Sequence, residues 1–198
     1  MINDISGSND KKYKRLFVGV GLKEEVCSYF YDLTLRLSDS NKDIRPIPKQ
    51  NIHITLKFLG NIKKSEIDKI YKSIEASLES KNSFKFHIAG LLDGFPKLSS
   101  ARILYGVIGE GNEKLGELQH IVDSSLADIG FESDERKFIP HITIARMKNP
   151  VNFTSLTACI KLKEFKDNTC DKVILFESIL SRKGSIYLVE KEFFFRKI

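Results

Sequence analysis

The feature that most constrains the fold of this chain is an internal repeat. The run RLFVGV (Arg15–Val20) precedes a stretch with helical spacing of apolar residues and then the tetrad HITL at His53. The run RILYGV (Arg102–Val107) precedes a similar stretch and then HITI at His141. The first residue of each run lies 38 and 39 residues before its histidine, respectively. This repeat predicts two strand–helix–strand units, each contributing one histidine to a cleft between two lobes.

Apolar periodicity predicts the remaining elements. Alternation with a period of two indicates strands, and recurrence every three or four residues indicates helices. Residues 1–14 show no apolar period, so we expect a flexible tail followed by a single domain over residues 15–198. The expected strands are Arg15–Val20, Ile52–Phe58, Phe84–Ile88, Arg102–Ile108, Phe138–Ile144, Ala158–Phe165, Lys172–Ser181 and Ser185–Phe195, and the expected helices are Leu22–Leu37, Ser65–Leu78 and Glu113–Ile129.

The composition indicates a globular protein without a membrane segment. Hydrophobic residues make up 41% of the 198 residues, which is far from the profile of a disordered chain. No run approaches the roughly 20 apolar residues of a membrane span, and the first residues lack the apolar segment of a secretion signal. We therefore expect a cytoplasmic location. A net charge of +6 favours a polyanionic partner only mildly.

Strand alternation places a polar pair on one face of each histidine strand. Alternate residues of a strand share a face, so each histidine is expected to point the same way as the threonine two residues later. The opposite face is apolar and is expected to face the core. The polar pairs are His53 with Thr55 and His141 with Thr143, and the apolar sets are Ile52, Ile54, Leu56 and Phe58 in one strand and Ile142 and Ile144 in the other.

Two histidines on a shared surface suit the opening of a cyclic phosphate. Imidazole titrates near pH ~6.5, so one ring can accept a proton while the other donates one. Threonine hydroxyls can bind the non-bridging phosphate oxygens, and this chemistry needs neither a metal nor a cofactor. A single His-x-Thr is weak evidence, but its recurrence at equivalent places of a repeat is specific. His87 and His120 lack such a setting and are interpreted as structural or surface residues.

These motifs resemble those of the two-histidine (2H) phosphoesterase superfamily, and within it the RNA 2′,3′-cyclic phosphodiesterases historically called 2′-5′ RNA ligases. The resemblance implies an α+β fold that is bilobal, with two antiparallel-rich sheets, outer helices and a central cleft. It also implies a product that carries a 2′-phosphate. The resemblance covers about Arg15 to Phe195, and its matching stretches are Arg15–Val18, Asn51–Gly60, Gly94–Pro96, Arg102–Tyr105, Pro140–Arg146 and Ser178–Tyr187.

The resemblance also implies roles for individual residues. His53 is similar to the general acid that protonates the leaving 3′ oxygen, and His141 to the general base that activates water. Thr55 and Thr143 would bind phosphate. Arg146 matches the arginine that follows the second motif and would also bind phosphate. Strand parity predicts that it points with Ile142 and Ile144, away from His141, so this role requires the strand to end or twist first. The alternative is a solvated arginine at the end of the strand.

Parity also predicts that Lys57 shares the face of His53, where it would either help to hold RNA or remain a solvated residue at the rim. The expected partners are RNA or nucleoside 2′,3′-cyclic phosphate ends. Oligomeric state is not predicted by the sequence.

Three alternatives remain open from the sequence. The same site could join RNA through a 2′-5′ linkage, with a 5′-hydroxyl replacing water. The chain could instead be a non-catalytic module that binds RNA or nucleotides, although the presence of both histidines and both threonines argues against this. A metal site built on two histidines is the third alternative, and loss of activity in a chelator would reveal it.

Overall fold

The computed structural model describes residues 12–159, 162–182 and 184–196, without the side chains of residues 158 and 159. Nine strands and four helices are described within these ranges. The strands are β1 (Tyr13–Val20), β2 (Ile44–Pro46), β3 (Ile54–Lys63), β4 (Phe84–Phe95), β5 (Ala101–Ile108), β6 (His141–Val151), β7 (Phe165–Cys170), β8 (Lys172–Ser181) and β9 (Gly184–Phe194), and the helices are α1 (Glu24–Ser40), α2 (Ile67–Leu78), α3 (Asn112–Ala127) and α4 (Thr154–Cys159).

The strands form one sheet that consists of two antiparallel halves. Its order is β7-β4-β5-β6-β3-β1-β8-β9, and β2 pairs separately with β6. We call β3, β1, β8 and β9 the first lobe, and β7, β4, β5, β6 and β2 the second lobe. The lobes meet where β3 pairs with β6, at Ile54 opposite Ile142. The predicted α+β class is confirmed, and the two expected sheets are continuous at this pairing.

The helices in the described ranges lie on one face of the sheet. The main core contains the buried faces of α1, α2 and α3 together with Ile54 and Ile142, both of which are fully buried. Helix α2 illustrates the sequence rule, because its buried residues Ile67, Ile70, Ile74 and Leu78 recur every three or four positions. The opposite face of the first lobe carries a smaller apolar cluster that includes Phe17 and Phe176. The histidine strands therefore present their polar pairs on the face without helices.

Several expected boundaries differ from the structure. Strand β1 begins at Tyr13, so the expected tail is too long by two residues, because Tyr13 pairs with Lys63 of β3. Residues 1–11 lie outside the described residues. The short strand β2 was not predicted, because a proline argues against a strand. Pro46 is tolerated here because β2 lies at an edge and pairs only with β6, so one missing N–H donor costs little. No helix within the described ranges is long and apolar enough to span a membrane.

The expected strand at Ala158–Phe165 is wrong. The chain forms α4 up to Cys159 instead, and β7 starts at Phe165. Residues 160 and 161 lie outside the described residues. The Asn152 side chain accepts a hydrogen bond from the Thr154 backbone N–H at 2.9 Å, which satisfies a donor at the start of the helix. This hydrogen bond favours the helix, and the apolar pattern of the segment alone is ambiguous between helix and strand.

Candidate active site

The pairing of Ile54 with Ile142 brings the two histidine motifs together. These isoleucines are direct partners in an antiparallel ladder, and both point into the main core. The residues on either side of each isoleucine therefore point to the opposite face, which has no helices. Extended by one residue in each direction, the register places His53 across from Thr143 and Thr55 across from His141. All four predicted side chains thus share one surface.

Each imidazole is oriented by a hydrogen bond to the backbone carbonyl two residues before it. His53 Nδ1 lies 2.7 Å from the carbonyl oxygen of Asn51, and His141 Nδ1 lies 2.7 Å from that of Ile139. A carbonyl oxygen only accepts, so each Nδ1 carries the hydrogen and each neutral ring has its lone pair at Nε2. His53 Nε2 lies 2.8 Å from Thr55 Oγ1, whose hydroxyl donates to it. The reactive nitrogen of each ring is therefore Nε2.

Three aromatic side chains lie close to the His53 ring. Its ring centroid lies 4.9 Å from that of Phe17, 5.6 Å from Phe176 and 5.4 Å from Tyr187. Burial against these rings lowers the pKa of His53 to about 4, with smaller contributions in the same direction from the positive charges of His141 and Arg146. The Asn51 carbonyl opposes this shift. His53 is therefore neutral near pH 7 in the free protein.

His141 lies in a similar but more open setting. Its ring contacts Phe95 and Tyr105, each at a centroid distance of 5.2 Å. Burial lowers the pKa of His141, and the charge of Arg146 lowers it further, while the Ile139 carbonyl opposes the shift. His53 is thus buried more deeply among aromatic rings than His141.

A β-bulge turns Arg146 towards the histidines. Tyr105 pairs with Thr143, but the preceding residue of β5, Leu104, pairs with Ala145, so Ile144 is an extra residue in β6. Ile144 and Ala145 are both buried, and Arg146 then returns to the exposed face. The prediction that Arg146 points away from His141 is therefore wrong. Strand parity failed because one inserted residue reverses the alternation.

A matching bulge in β3 reverses the predicted faces of two residues. Gly19 pairs with Thr55 and Val18 with Lys57, so Leu56 is the extra residue. Lys57 is only 7% exposed, and its ammonium group contacts the carboxylate of Asp123. The prediction that Lys57 lies beside His53 is therefore wrong.

The same bulge moves Phe58 from the expected core face to the exposed face of the sheet. It was predicted to face the core, yet it is 68% exposed. Its ring centroid lies 5.9 Å from that of Phe17, which in turn contacts His53. Phe58 follows His53 by five residues, as Arg146 follows His141. The two bulges thus place an aromatic side chain and a cation at equivalent positions of the two lobes.

Comparison with known proteins identifies the family. The family model described as the 2′-5′ RNA ligase superfamily matches residues 34–178, well over half of the chain. The chain belongs to the 2′-5′ RNA ligase superfamily. This confirms the resemblance to the two-histidine phosphoesterases that the repeated motifs indicate.

Curated relatives of this superfamily member align over most of their length. The RNA 2′,3′-cyclic phosphodiesterase of Methanocaldococcus jannaschii is 30% identical over 186 residues, which cover 90% of this chain and 99% of that protein. The protein of the same name from Aquifex aeolicus is 30% identical over 151 residues, which cover 75% of this chain and 80% of the relative.

Solved structures share the fold of this superfamily member. A Thermus thermophilus protein superposes with a TM-score of 0.75 at 22% identity, covering 92% of this chain and 98% of that one. Escherichia coli LigT in complex with 3′-AMP gives a TM-score of 0.66 at 20% identity, covering 93% and 99% of the two chains. At these identities the similarity supports the fold alone.

Two residues that support the site were not predicted from the sequence. Asn51, whose carbonyl orients His53, also donates from its side chain to the Ser185 carbonyl at 2.6 Å, which attaches this turn to β9. A Cβ atom at Gly19 would lie 2.8 Å from the Ile54 carbonyl oxygen and 3.2 Å from His53 Cδ2. A glycine inside a strand often marks such a close approach, so the importance of Gly19 could have been predicted from the sequence.

The other two histidines lie elsewhere. His87 is on β4, with Nε2 3.6 Å from a carboxylate oxygen of Glu164. His120 is an exposed residue of α3, on the face of the sheet that the helices cover. Both positions agree with the interpretation of these residues as structural or surface histidines.

Proposed function

We propose that this protein hydrolyses RNA 2′,3′-cyclic phosphate ends to 2′-phosphomonoesters, using His53 and His141 as an acid–base pair. The observation that carries the proposal is the pairing of Ile54 with Ile142, since it presents both imidazoles on one surface. Family membership and relatives named RNA 2′,3′-cyclic phosphodiesterase support the same reaction.

In this mechanism the cyclic phosphate lies between the two Nε2 atoms. His141 Nε2 accepts a proton from water as the water oxygen attacks phosphorus. The bond between phosphorus and the 3′ oxygen breaks, and His53 donates its Nε2 proton to that oxygen. The products are a 2′-phosphate and a 3′-hydroxyl. Proton exchange with solvent then restores the two histidines.

The low pKa of His53 is compatible with its role as the acid. The negative charge of the bound phosphodiester favours the imidazolium form, and this attraction is stronger where the ring is buried. An imidazolium with a low pKa is also a strong acid, which promotes transfer to the ribose oxygen. Burial alone would favour His53 as the base, whereas the charge of the bound phosphate favours it as the acid.

Thr55, Thr143 and Arg146 bind the phosphate in this proposal. The threonine hydroxyls donate to the non-bridging oxygens from the same face as the histidines. The Arg146 guanidinium makes no ion pair with a described residue, and its charge acts on both imidazoles. A planar fork of donors is suited to the charge that develops on a pentacoordinate phosphorus.

The reaction is tested with purified protein and an RNA that ends in a 2′,3′-cyclic phosphate. We expect a product that alkaline phosphatase dephosphorylates and that carries phosphate on the 2′ oxygen, and we expect full activity in EDTA. A 3′-phosphate product, or loss of activity in the chelator, would contradict the proposal. Adding an RNA with a 5′-hydroxyl end measures ligation in the same assay.

The roles of the two histidines are tested by changing the leaving group. A thiolate leaves without protonation, so a substrate with sulfur at the bridging 3′ position bypasses the general acid. The His53→Asn variant should then lose far less activity than it does with the oxygen substrate, whereas His141→Asn should lose the same amount with both. The reverse pattern would exchange the two assignments.

A further inference from the structure

The exposed face of the first lobe continues outward from His53 along β1. Alternate residues of this strand share the face, in the order Gly19, Phe17, Arg15 and Tyr13. Gly19 lies beside His53, and Phe17 contacts the His53 ring. Each step of two residues advances about 6.5 Å, which is close to the spacing of nucleotides in an extended single strand. This face leads from the candidate active site to Tyr13, the first residue of β1.

Phe58 stands beside the first step of this path. It is the direct partner of Phe17 across β1 and β3, yet it is 68% exposed whereas Phe17 is 2% exposed. A largely exposed aromatic ring gains little from burial, although burying such a side chain fully stabilises a fold by about 1.5–3 kcal/mol. Its exposure next to a catalytic surface therefore suggests a ligand with a flat apolar face.

A polar cleft of about 360 Å³ opens at the following steps, lined among others by Tyr13, Arg15, Asn61 and Lys64. Asn61 is the cross-strand partner of Arg15, so both side chains lie on the same face. Neither Arg15 nor Lys64 forms an ion pair within the described part of the chain. Lys14 pairs with the cleft carboxylate of Glu177 at 3.1 Å and with that of Glu190 at 2.5 Å, and the charge of Lys64 also acts on Glu190. The three cations Lys14, Arg15 and Lys64 outnumber these two carboxylates, so the net charge beside the cleft is positive.

We propose that this face binds the RNA chain on the 5′ side of the cyclic phosphate. The terminal base stacks on Phe58, and the preceding nucleotide enters the cleft, where Arg15 and Lys64 contact its phosphate. Stacking of bases on aromatic rings beside a basic groove is a general way to bind single strands without strict sequence preference. This inference rests on the proposed function and specifies its substrate as an oligonucleotide rather than a mononucleotide.

The experiment compares adenosine 2′,3′-cyclic phosphate with a tetranucleotide that ends in the same group. For the wild-type protein we expect kcat/KM to be at least tenfold higher with the tetranucleotide. Phe58→Ala should raise KM about tenfold for both substrates with little change in kcat, and Phe58→Trp should restore KM. Arg15→Ala should lower kcat/KM for the tetranucleotide about tenfold more than for the mononucleotide, and this difference should vanish in high salt.

Two controls distinguish this proposal from the reaction itself. Arg36→Ala removes an exposed arginine from α1, on the other face of the sheet, and should change neither substrate preference nor KM. An abasic cyclic phosphate should be insensitive to Phe58→Ala, because it has no base to stack. If the wild type hydrolyses both substrates equally and both variants match it, the RNA path is refuted while the proposed function stands. If the wild type hydrolyses neither substrate, both proposals fail.

Discussion

Ile54 and Ile142 are direct partners across β3 and β6, and each lies next to a histidine in sequence. Their side chains are fully buried on the helix side, so the core fixes the point at which the two lobes meet. Because alternation is strict over these few residues, packing of the isoleucines also determines where both imidazoles point. Two motifs far apart in sequence are thus positioned by the same hydrophobic contact.

The pH dependence of turnover should reflect the lowered pKa values of both histidines. In the active state one imidazole is protonated at Nε2 and the other is neutral. The pH dependence of kcat/KM reports the pKa values of these groups in the free enzyme. Because the pKa of His53 is about 4 and that of His141 is also lowered, kcat/KM should peak at acidic pH and fall before the pH exceeds ~6.5. Rates with a cyclic mononucleotide between pH 3.5 and 9 measure this profile, and a rate that rises up to pH 8 would refute it.

The buried His53 should make the fold sensitive to acid. Its folded pKa of about 4 lies below the unfolded value of ~6.5, so the unfolded chain binds more protons between these two pH values. Stability should therefore decrease as the pH falls through this window, by on the order of 3 kcal/mol from this residue. Urea denaturation at pH 7 and pH 4.5 measures the loss, which should be much smaller in His53→Asn. Equal losses in the two proteins would contradict the assignment.

Gly19 should be essential for the position of His53. In Gly19→Ala the new methyl group would meet the Ile54 carbonyl and the His53 ring, so we expect at least a tenfold loss of activity and destabilisation by about 1–3 kcal/mol. Gly116→Ala is the matched control, since nothing lies within 4 Å of a Cβ at this position of α3. It should retain activity and gain about 0.5–1 kcal/mol of helix stability. Full activity in Gly19→Ala would show that the close approach has no functional role.

Arg146 should act on both rate and pH profile. Arg146→Ala should reduce kcat/KM by about 10²–10³ and should shift the alkaline limb of the profile to higher pH, because the cation lowers both histidine pKa values. Arg146→Lys keeps the charge without the bidentate fork, so it should restore the pH limb more completely than the rate. Unaltered kinetics in Arg146→Ala would place this arginine outside the reaction.

The repeat made the centre of the fold readable from sequence. The tetrads at His53 and His141 predict two equivalent strands and the shared face of four polar side chains, and the register of β3 and β6 agrees. Helices α1, α2 and α3 were predictable because their apolar spacing is regular, whereas α4 was not predicted. These features depend on short-range periodicity, which the sequence contains in full.

The wrong side-chain directions in the two histidine strands have one physical origin. Single extra residues at Leu56 and Ile144 reverse the alternation, so the predicted faces of Lys57, Phe58 and Arg146 were all wrong. A bulge of this kind has no sequence signature here, because it depends on how β1 and β5 pair with the histidine strands. The directions of these three side chains therefore depend on tertiary strand pairing, which sequence periodicity does not predict.

A double-mutant kinetic measurement tests the central claim most directly. His53→Asn and His141→Asn, alone and combined, are assayed with an RNA 2′,3′-cyclic phosphate, and the thermal unfolding of each variant confirms that it is folded. If the two imidazoles act together on one phosphorus, each single variant should lose at least about 10³-fold in kcat/KM, and the double variant should be little worse than either. Full activity in either single variant, or losses that multiply in the double variant, would contradict the account.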